Sequence, residues 1–220
     1  MSYSRESIRK VAKVALTLNL RAVKKKAHFG HLPYLLMLSD ASRLAKPEEF
    51  LSHLPRGAGV VLRDYEGRLP LAVGINHARS LALSCRERGL SLIIAGDVRT
   101  AIAAGANGLH LAEWKVIKGA GWERSLARKR GMIVTAACHS LGALRRAEEL
   151  GVDAALLSPV LPTLSHPGEG ALGPLRFSAL LLKTNLPVYA LGGIDANAAI
   201  RIKQSTAIGL AGISFVRGIL

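Results

Sequence analysis

The sequence contains little cysteine, few aromatic residues and few acidic side chains. Two cysteines, Cys85 and Cys138, occur in 220 residues, which is too few for a disulfide scaffold and favours a reducing compartment. No apolar run reaches the roughly 18 to 20 residues that a membrane-spanning helix needs. Half of the residues are hydrophobic and a fifth are charged, so the chain can bury a core. We therefore expect a folded cytoplasmic protein that does not span a membrane.

Several functional motifs are also missing. The cysteines and histidines lack the spacing of a zinc site, and the sequence contains neither a Walker A loop nor a G-x-G-x-x-G fingerprint. No long Gly/Ser-rich or Pro-rich stretch marks a linker between domains. The length fits one large domain or two small ones.

Acidic residues are scarce relative to basic ones: 15 against 30, a formal charge of +15. Residues 1–30 hold eight basic residues and Glu6, and residues 115–130 hold six and Glu123, so these two segments carry 12 of the 15 charges. Arg9, Lys10 and Lys13 interrupt any secretory-type apolar stretch.

The basic N-terminal segment has helical periodicity. Its spacing predicts an amphipathic helix over residues 4–26, with Ile8, Val11, Val14, Ala15 and Leu18 on one face. We treat residues 1–30 as a basic helical extension and residues 31–220 as the main domain. The helix either caps that domain or acts as an arm for nucleic acid or an anionic membrane.

Short apolar runs alternate with longer helical patterns from residue 33 onward. Runs that are apolar throughout and bounded by Gly, Asp or Pro are typical of parallel strands buried on both faces. The eight runs are Tyr34–Leu38, Gly59–Leu62, Ser91–Ala95, Gly108–Leu111, Met132–Ala136, Ala154–Leu157, Pro187–Leu191 and Ile208–Ala211. The predicted helices between them are Asn76–Arg88, Val98–Ala104, Ser140–Leu150 and Asp195–Lys203. This pattern predicts an α/β fold, a single (β/α)₈ TIM barrel with an extra N-terminal helix. A doubly wound open sheet is the competing architecture.

The loops after the last two strands predict a phosphate site. In a barrel the active site lies at the carboxyl ends of the strands, and the loops after strands 7 and 8 often hold phosphate. Gly192 and Gly193 follow the seventh strand, and Gly212, Ile213 and Ser214 follow the eighth, before an expected helix. Glycine backbones and a helix N-terminus both favour an anion.

One further loop and three single residues could bind a ligand or take part in a reaction. In the long loop from Ser158 to Gly168, the hydroxyls of Thr163 and Ser165 could face one ligand, and His166 and Pro167 could close over it. The alternative is a surface loop stiffened by proline. His139 follows the fifth strand and is either an acid/base or a helix-capping residue. Asp97 and Glu113 are the carboxylates available to a Mg²⁺–diphosphate site. His110, inside an apolar run, is interpreted as a core histidine.

These residues resemble the thiamine phosphate synthases and the related thiazole tautomerases. The resemblance rests on Gly105–Leu111, Leu156–Gly168, Tyr189–Ile194 and Ala211–Ser214, and on the likeness of Leu62–Asp64 and Ile93–Asp97 to the family's motifs on strands 2 and 3. It implies a transferase of thiamine biosynthesis that joins thiazole phosphate to hydroxymethylpyrimidine diphosphate with Mg²⁺. It assigns the thiazole phosphate to Thr163, Ser165, Gly193, Ile213 and Ser214, and the diphosphate and its metal to Arg63 and Asp97.

The chain departs from the synthase pattern on the diphosphate side. The motif Gln-x-Arg-x-Lys reads Val61-x-Arg63-x-Tyr65, the Asn before Asp97 is Gly96, the second metal-binding Asp falls at Lys115, and the loop Lys falls at His166. The tautomerase branch needs neither diphosphate nor metal, and the resemblance gives it His139 as acid/base. A non-catalytic binder of thiazole or thiamine phosphate is a third alternative.

A nucleic-acid-binding protein is the alternative from a different class. The basic N-terminal segment supports it, whereas an aromatic content of 5% and the absence of a recognised binding motif argue against it. We therefore expect small phosphorylated substrates as partners. The sequence leaves the oligomeric state open, including a homo-oligomer.

Overall fold

The chain forms one closed barrel of eight parallel strands in the computed structural model. The structure describes residues 5–25, 27–40, 44–63, 71–163 and 170–216. The strands are β1 Leu35–Leu38, β2 Gly59–Arg63, β3 Ser91–Ala95, β4 Gly108–Leu111, β5 Ile133–Cys138, β6 Ala154–Leu157, β7 Val188–Leu191 and β8 Gly209–Gly212. The helices are α1 Arg5–Lys25, α2 Leu71–Glu87, α3 Val98–Ala104, α4 Glu113–Lys118, α5 Gly121–Lys129, α6 Leu141–Leu150, α7 Gly173–Leu181 and α8 Ala196–Ile202, with 3₁₀ helices at Ala27–His31 and Pro47–His53.

Pairing of the first strand with the last closes the barrel. Leu36 of β1 pairs with Gly59 of β2 on one side and with Ala211 of β8 on the other. An open doubly wound sheet would leave two edge strands, so the closed order confirms the barrel and excludes that alternative. The strands are buried on both faces, which explains their continuous apolar sequence.

Close backbone approach fixes the eighth strand against its neighbour. A Cβ atom placed on Gly209 would lie 2.2 Å from the carbonyl oxygen of Tyr34, closer than any real contact. Tyr189 of β7 donates from its hydroxyl to Pro33 O at 2.5 Å. These contacts tie the amino ends of β7 and β8 to the segment before β1.

The predicted N-terminal helix is present as α1, and it packs on the barrel. Ile8, Val11, Ala15 and Leu18 are buried and belong to the same hydrophobic core as the strands. α1 contacts β8, β1 and α8, and Asn19 donates to Ile208 O at 3.3 Å. The helix therefore covers the barrel wall where β8 meets β1. Within the described residues, no helix has the length and hydrophobicity needed to cross a membrane.

Three predicted helix starts are confirmed as side-chain caps. Asp97, Ser140 and Asp195 accept backbone N–H groups at the first turns of α3, α6 and α8. α4, α5 and α7 were not predicted from the sequence. None of these three begins with a side-chain cap, so the pattern lacked its usual start signal.

The helix expected after β8 is not seen in the described residues. Ile213 to Val216 form a bend and turn, closed by a hydrogen bond from Val216 N–H to Ile213 O at 3.1 Å. A longer helix there would need residues outside the described ranges.

Candidate active site

A cavity of about 500 Å³ opens at the carboxyl ends of the strands. Among the residues expected to bind or react, it collects Arg63, His139, Thr163, Gly192, Gly193, Gly212, Ile213 and Ser214. These residues come from the ends of four strands and the loop after a fifth, so barrel closure brings them together. Ser165 and His166 lie outside the described residues. Asp97 is not among the residues that line the cavity.

The loop after β7 depends on its two glycines. Gly192 and Gly193 have φ values of 96° and 68°, in the region that favours glycine. A Cβ atom on Gly193 would lie 2.5 Å from Pro162 O and 2.8 Å from Leu161 O. The loop after β6 therefore packs directly on this turn, and any side chain at Gly193 would push the two loops apart.

Three residues that line the cavity have backbone donors with no acceptor among the described residues. Within the described part of the chain, the amide N–H groups of Gly193, Ile213 and Ser214 make no hydrogen bond, although Ile213 is buried. Buried N–H groups normally find an acceptor. An oxyanion such as a phosphate group would supply several acceptor oxygens at once, as in other backbone anion sites.

Arg63 is fixed at the end of β2 by the loop after β1. Its Nε donates to Ser39 O at 2.6 Å, and its Nη2 lies 3.0 Å from Asp40 Oδ2. Its own backbone N–H donates to Ser39 Oγ at 2.7 Å. The guanidinium is thus held in one place on the cavity wall, with part of its charge balanced by Asp40.

His110 is neutral and belongs to the cavity floor. Its Nδ1 lies 2.9 Å from Thr135 Oγ1, and only 2% of the residue is exposed. Burial lowers the pKa of His110 to about 3, and the positive charge of Arg63 acts in the same direction. The core interpretation of His110 is confirmed, and the structure adds that the ring also lines the cavity.

His139 is paired with a carboxylate. Its Nδ1 contacts Glu113 Oε2, and Glu113 Oε1 accepts from the His139 backbone N–H at 3.4 Å. Both residues line the cavity. A carboxylate only accepts hydrogen bonds, so Nδ1 carries the proton and neutral His139 is left with Nε2 as its acceptor. The pair has the composition of an acid/base dyad.

The adjacent cysteine is not a nucleophile. Burial raises the pKa of the Cys138 thiol to about 12, and the charge of Glu113 adds to the effect. Because the thiolate is the reactive form, Cys138 stays protonated near neutral pH and acts as a packing residue.

The described residues do not fit the expected Mg²⁺ site. Asp97 is exposed and caps α3 by accepting from Arg99 N–H at 3.2 Å. Lys115 places its ammonium 2.8 Å from Gly96 O and 2.6 Å from Glu123 Oε1, where a metal would need further acidic ligands. In the described ranges, no group of three or more His, Cys, Asp or Glu residues could hold a metal ion.

The side chains that accompany the expected residues in the cavity have no signal in the periodicity of the sequence. Glu113 was considered as a metal ligand, but the structure pairs it with His139. Trp114 and Ile117 also line the cavity, on a helix that was not predicted. The placement of Glu113 directly after an apolar strand was a usable signal, since that position lies on the active face of a barrel.

Comparison with known proteins gives the same family. The family described as "Thiamine monophosphate synthase" matches residues 49–219. The chain is 30% identical over 175 residues to the thiamine biosynthesis bifunctional protein ThiM/ThiE of Symbiobacterium thermophilum, which covers 79% of this chain and 36% of that protein. It is 32% identical over 160 residues to a Geobacter sulfurreducens protein provisionally named thiamine-phosphate synthase, which covers 70% of each.

A solved structure confirms the fold. Thiamine phosphate pyrophosphorylase from Pyrococcus furiosus superimposes with a TM-score of 0.69 at 22% identity, over 84% of this chain and 87% of that one. The match extends over most of both chains, so the barrel architecture is shared. On the family match over residues 49–219, the chain belongs to the thiamine monophosphate synthase family, a family of thiamine biosynthesis transferases.

Proposed function

We propose that this protein binds thiazole phosphate and joins it to hydroxymethylpyrimidine diphosphate to form thiamine phosphate. The observation that carries this proposal is the group of backbone donors at Gly193, Ile213 and Ser214, which belong to cavity-lining residues and have no acceptor in the described part of the chain. A phosphate held there would leave the rest of a heteroaromatic ligand inside the cavity. Thr163 lines the same cavity, and we assign Ser165 and His166, which lie outside the described residues, to the same ligand.

The chemistry needs little from the side chains. The thiazole nitrogen lone pair forms a C–N bond to the pyrimidine methylene carbon. The C–O bond to diphosphate breaks, and its electron pair leaves with the diphosphate. No proton has to be removed, so the protein's task is to orient two rings and to stabilise the departing anion. Arg63, fixed by Ser39 and Asp40 at the end of β2, supplies a positive charge on the cavity wall.

A second candidate function is an isomerase of a thiazole carboxylate phosphate. The specific observation in its favour is the contact between His139 and Glu113 on the cavity wall. Such a tautomerisation moves one proton off the ring and returns one, and a histidine whose ring is oriented by a carboxylate can do both. The poor fit of the described residues to Mg²⁺ also suits a reaction without diphosphate.

One product assay separates the two candidates. Purified protein is mixed with hydroxymethylpyrimidine diphosphate and thiazole phosphate, with and without Mg²⁺, and thiamine phosphate is quantified. Product above the uncatalysed rate supports the synthase. No product, together with conversion of a thiazole carboxylate phosphate in a parallel reaction, overturns the synthase and supports the isomerase. Absence of both products and of thiazole phosphate binding by calorimetry overturns both.

A further inference from the structure

Two large apolar side chains lie exposed at the mouth of the cavity. Trp114 and Ile117 stand on α4, line the cavity, and are 57% and 61% exposed. An indole ring is large, rigid and apolar, and such rings are typical anchors for planar ligands. Trp122 on α5 is equally exposed at 57% but does not line the cavity. Exposure alone therefore does not distinguish the two tryptophans, whereas their position does.

Two ammonium groups surround the indole of Trp114. Lys115 Nζ lies 5.6 Å and Lys118 Nζ 5.4 Å from the ring centroid, within the range of cation–π contacts. Lys115 is anchored by Gly96 O and Glu123, so its charge stays beside the ring. A cationic ring brought onto Trp114 would meet two like charges. A neutral ring that carries an anionic group would meet none and would gain an ion pair.

We propose that Trp114 and Ile117 form a ring subsite that binds the neutral heteroaromatic ring of an anionic ligand, with Lys118 facing its anionic group. The ligand's identity rests on the proposed function: the subsite takes the pyrimidine ring of hydroxymethylpyrimidine diphosphate, while the donors at Gly193 and Ser214 hold the thiazole phosphate. The joined product carries a cationic thiazolium ring and lacks the diphosphate. The product therefore loses the ion pair with Lys118 and binds this subsite more weakly than the substrate.

Fluorescence of the two tryptophans tests the subsite directly. The chain has two Trp residues, so Trp122→Phe reports on Trp114 alone and Trp114→Phe on Trp122 alone. We expect hydroxymethylpyrimidine diphosphate to quench Trp122→Phe in a saturable manner and to leave the fluorescence of Trp114→Phe unchanged. Quenching of both variants alike, or of neither, overturns the proposal.

Affinities provide the second measurement. Stacking on an aromatic side chain contributes roughly 1–3 kcal/mol per ring. We therefore expect Trp114→Ala to weaken the binding of hydroxymethylpyrimidine diphosphate by about 5- to 150-fold. Trp122→Ala is the matched control and keeps the wild-type affinity. Lys118→Ala weakens the binding of hydroxymethylpyrimidine diphosphate but not the binding of uncharged hydroxymethylpyrimidine. Thiazole phosphate, which the proposal assigns to the donors at Gly193 and Ser214, keeps its affinity in every variant.

Failure of this subsite is separable from failure of the proposed reaction. Suppose that no thiamine phosphate forms, but the ligand quenches the fluorescence of Trp114 and binds Trp114→Ala more weakly. The subsite is then supported and the proposed reaction is overturned. If product forms and Trp114→Ala leaves the KM for the pyrimidine diphosphate unchanged, the reaction stands and the subsite is overturned.

Discussion

At the scale of single residues, the site depends on pairs that fix one side chain by another. Glu113 contacts the His139 ring at Nδ1, and Asp40 and Ser39 hold the guanidinium of Arg63. His139 and Arg63 line the cavity, and their partners limit the rotation of these two side chains. Orientation of this kind reduces the entropy that must be lost when a ligand reacts.

The pairing predicts the protonation pattern of His139. We expect Glu113→Ala to shift the neutral ring from the Nδ1–H towards the Nε2–H tautomer, because the carboxylate acceptor is lost. The ¹⁵N shifts of the two ring nitrogens report this change, and His110, held by Thr135, is an internal reference in the same spectrum. In the isomerase assay we expect turnover to fall by about 10²-fold. An unchanged tautomer would show that Glu113 does not orient the ring.

The donors at the end of β8 predict a charge-sensitive position. We expect Ser214→Asp to abolish thiazole phosphate binding in calorimetry, because the new carboxylate repels the phosphate at short range. Ser125→Asp adds the same charge on the exposed face of α5 and should leave the affinity unchanged. Wild-type affinity in Ser214→Asp would remove Ser214 from the phosphate site.

Buried, neutral His110 predicts an acid-sensitive fold. Its pKa is about 3 in the folded protein and about 6.5 when unfolded. The folded state therefore loses stability as the pH falls from about 6.5 towards 3, where the unfolded chain takes up the extra proton. We expect the slope of the free energy of unfolding against pH to be shallower in His110→Gln by up to about 1.4 kcal/mol per pH unit. Urea titrations between pH 4 and 7 measure it, and equal slopes would contradict the assignment.

At the scale of elements, short strands form the barrel, and the loops that follow them carry the residues of the cavity. Strands of four to six residues end at one face of the barrel, and the loops after them place Arg63, His139, Gly193 and Ser214 around one cavity. α4 adds Trp114 and Ile117 to the same mouth. The helices elsewhere serve mainly to cover the outside of the strands.

α1 behaves as part of the barrel wall, and a pair of leucines tests this. Leu18 is 1% exposed and Leu20 is 59% exposed on the same helix. We expect Leu18→Ala to lower the free energy of unfolding by about 2–5 kcal/mol and Leu20→Ala by less than about 0.5 kcal/mol, measured by urea denaturation. Equal small effects would show that α1 is an appendage and not part of the core.

At the scale of the whole molecule, the positive charge is spread over opposite sides. The basic segments lie on α1, beside β8 and β1, and on α4 and α5, between β4 and β5. In an eight-stranded barrel these positions face away from each other. A continuous basic groove for a nucleic acid is therefore not formed by these two helical regions. The combined field instead favours the approach of small anions.

This charge predicts salt-dependent association of phosphorylated ligands. We expect the association rate constant of hydroxymethylpyrimidine diphosphate to fall by about 10-fold or more between low and high ionic strength, since screening shortens the range of the field. The dissociation rate constant should change much less. Stopped-flow fluorescence of Trp122→Phe measures both, and a salt-independent association rate would contradict the steering argument.

The repeating pattern of the sequence predicted eight parallel strands with helices between them, and the pairing of β1 with β8 decided for the barrel over the open sheet. β3, β4 and β6 begin and end at the residues expected from their apolar runs, because a parallel strand buried on both faces reads as a nearly continuous apolar segment. The capped helices α3, α6 and α8 followed from Asp97, Ser140 and Asp195, since capping is a local interaction that leaves its mark within three residues. The position of the cavity followed from the barrel itself.

Only the tertiary structure decided which side chains meet. Glu113 and His139 are 26 residues apart, and Lys115 reaches Gly96 across 19 residues. The periodicity of the sequence predicts neither contact. Each contact depends on the register between neighbouring strands and on the orientation of the segments that follow them. A shift of one residue in that register would turn each side chain to the other face. The sequence alone therefore determined where chemistry could occur, and the folded barrel decided that Glu113 serves His139 and that Lys115 stands where a metal ligand was expected.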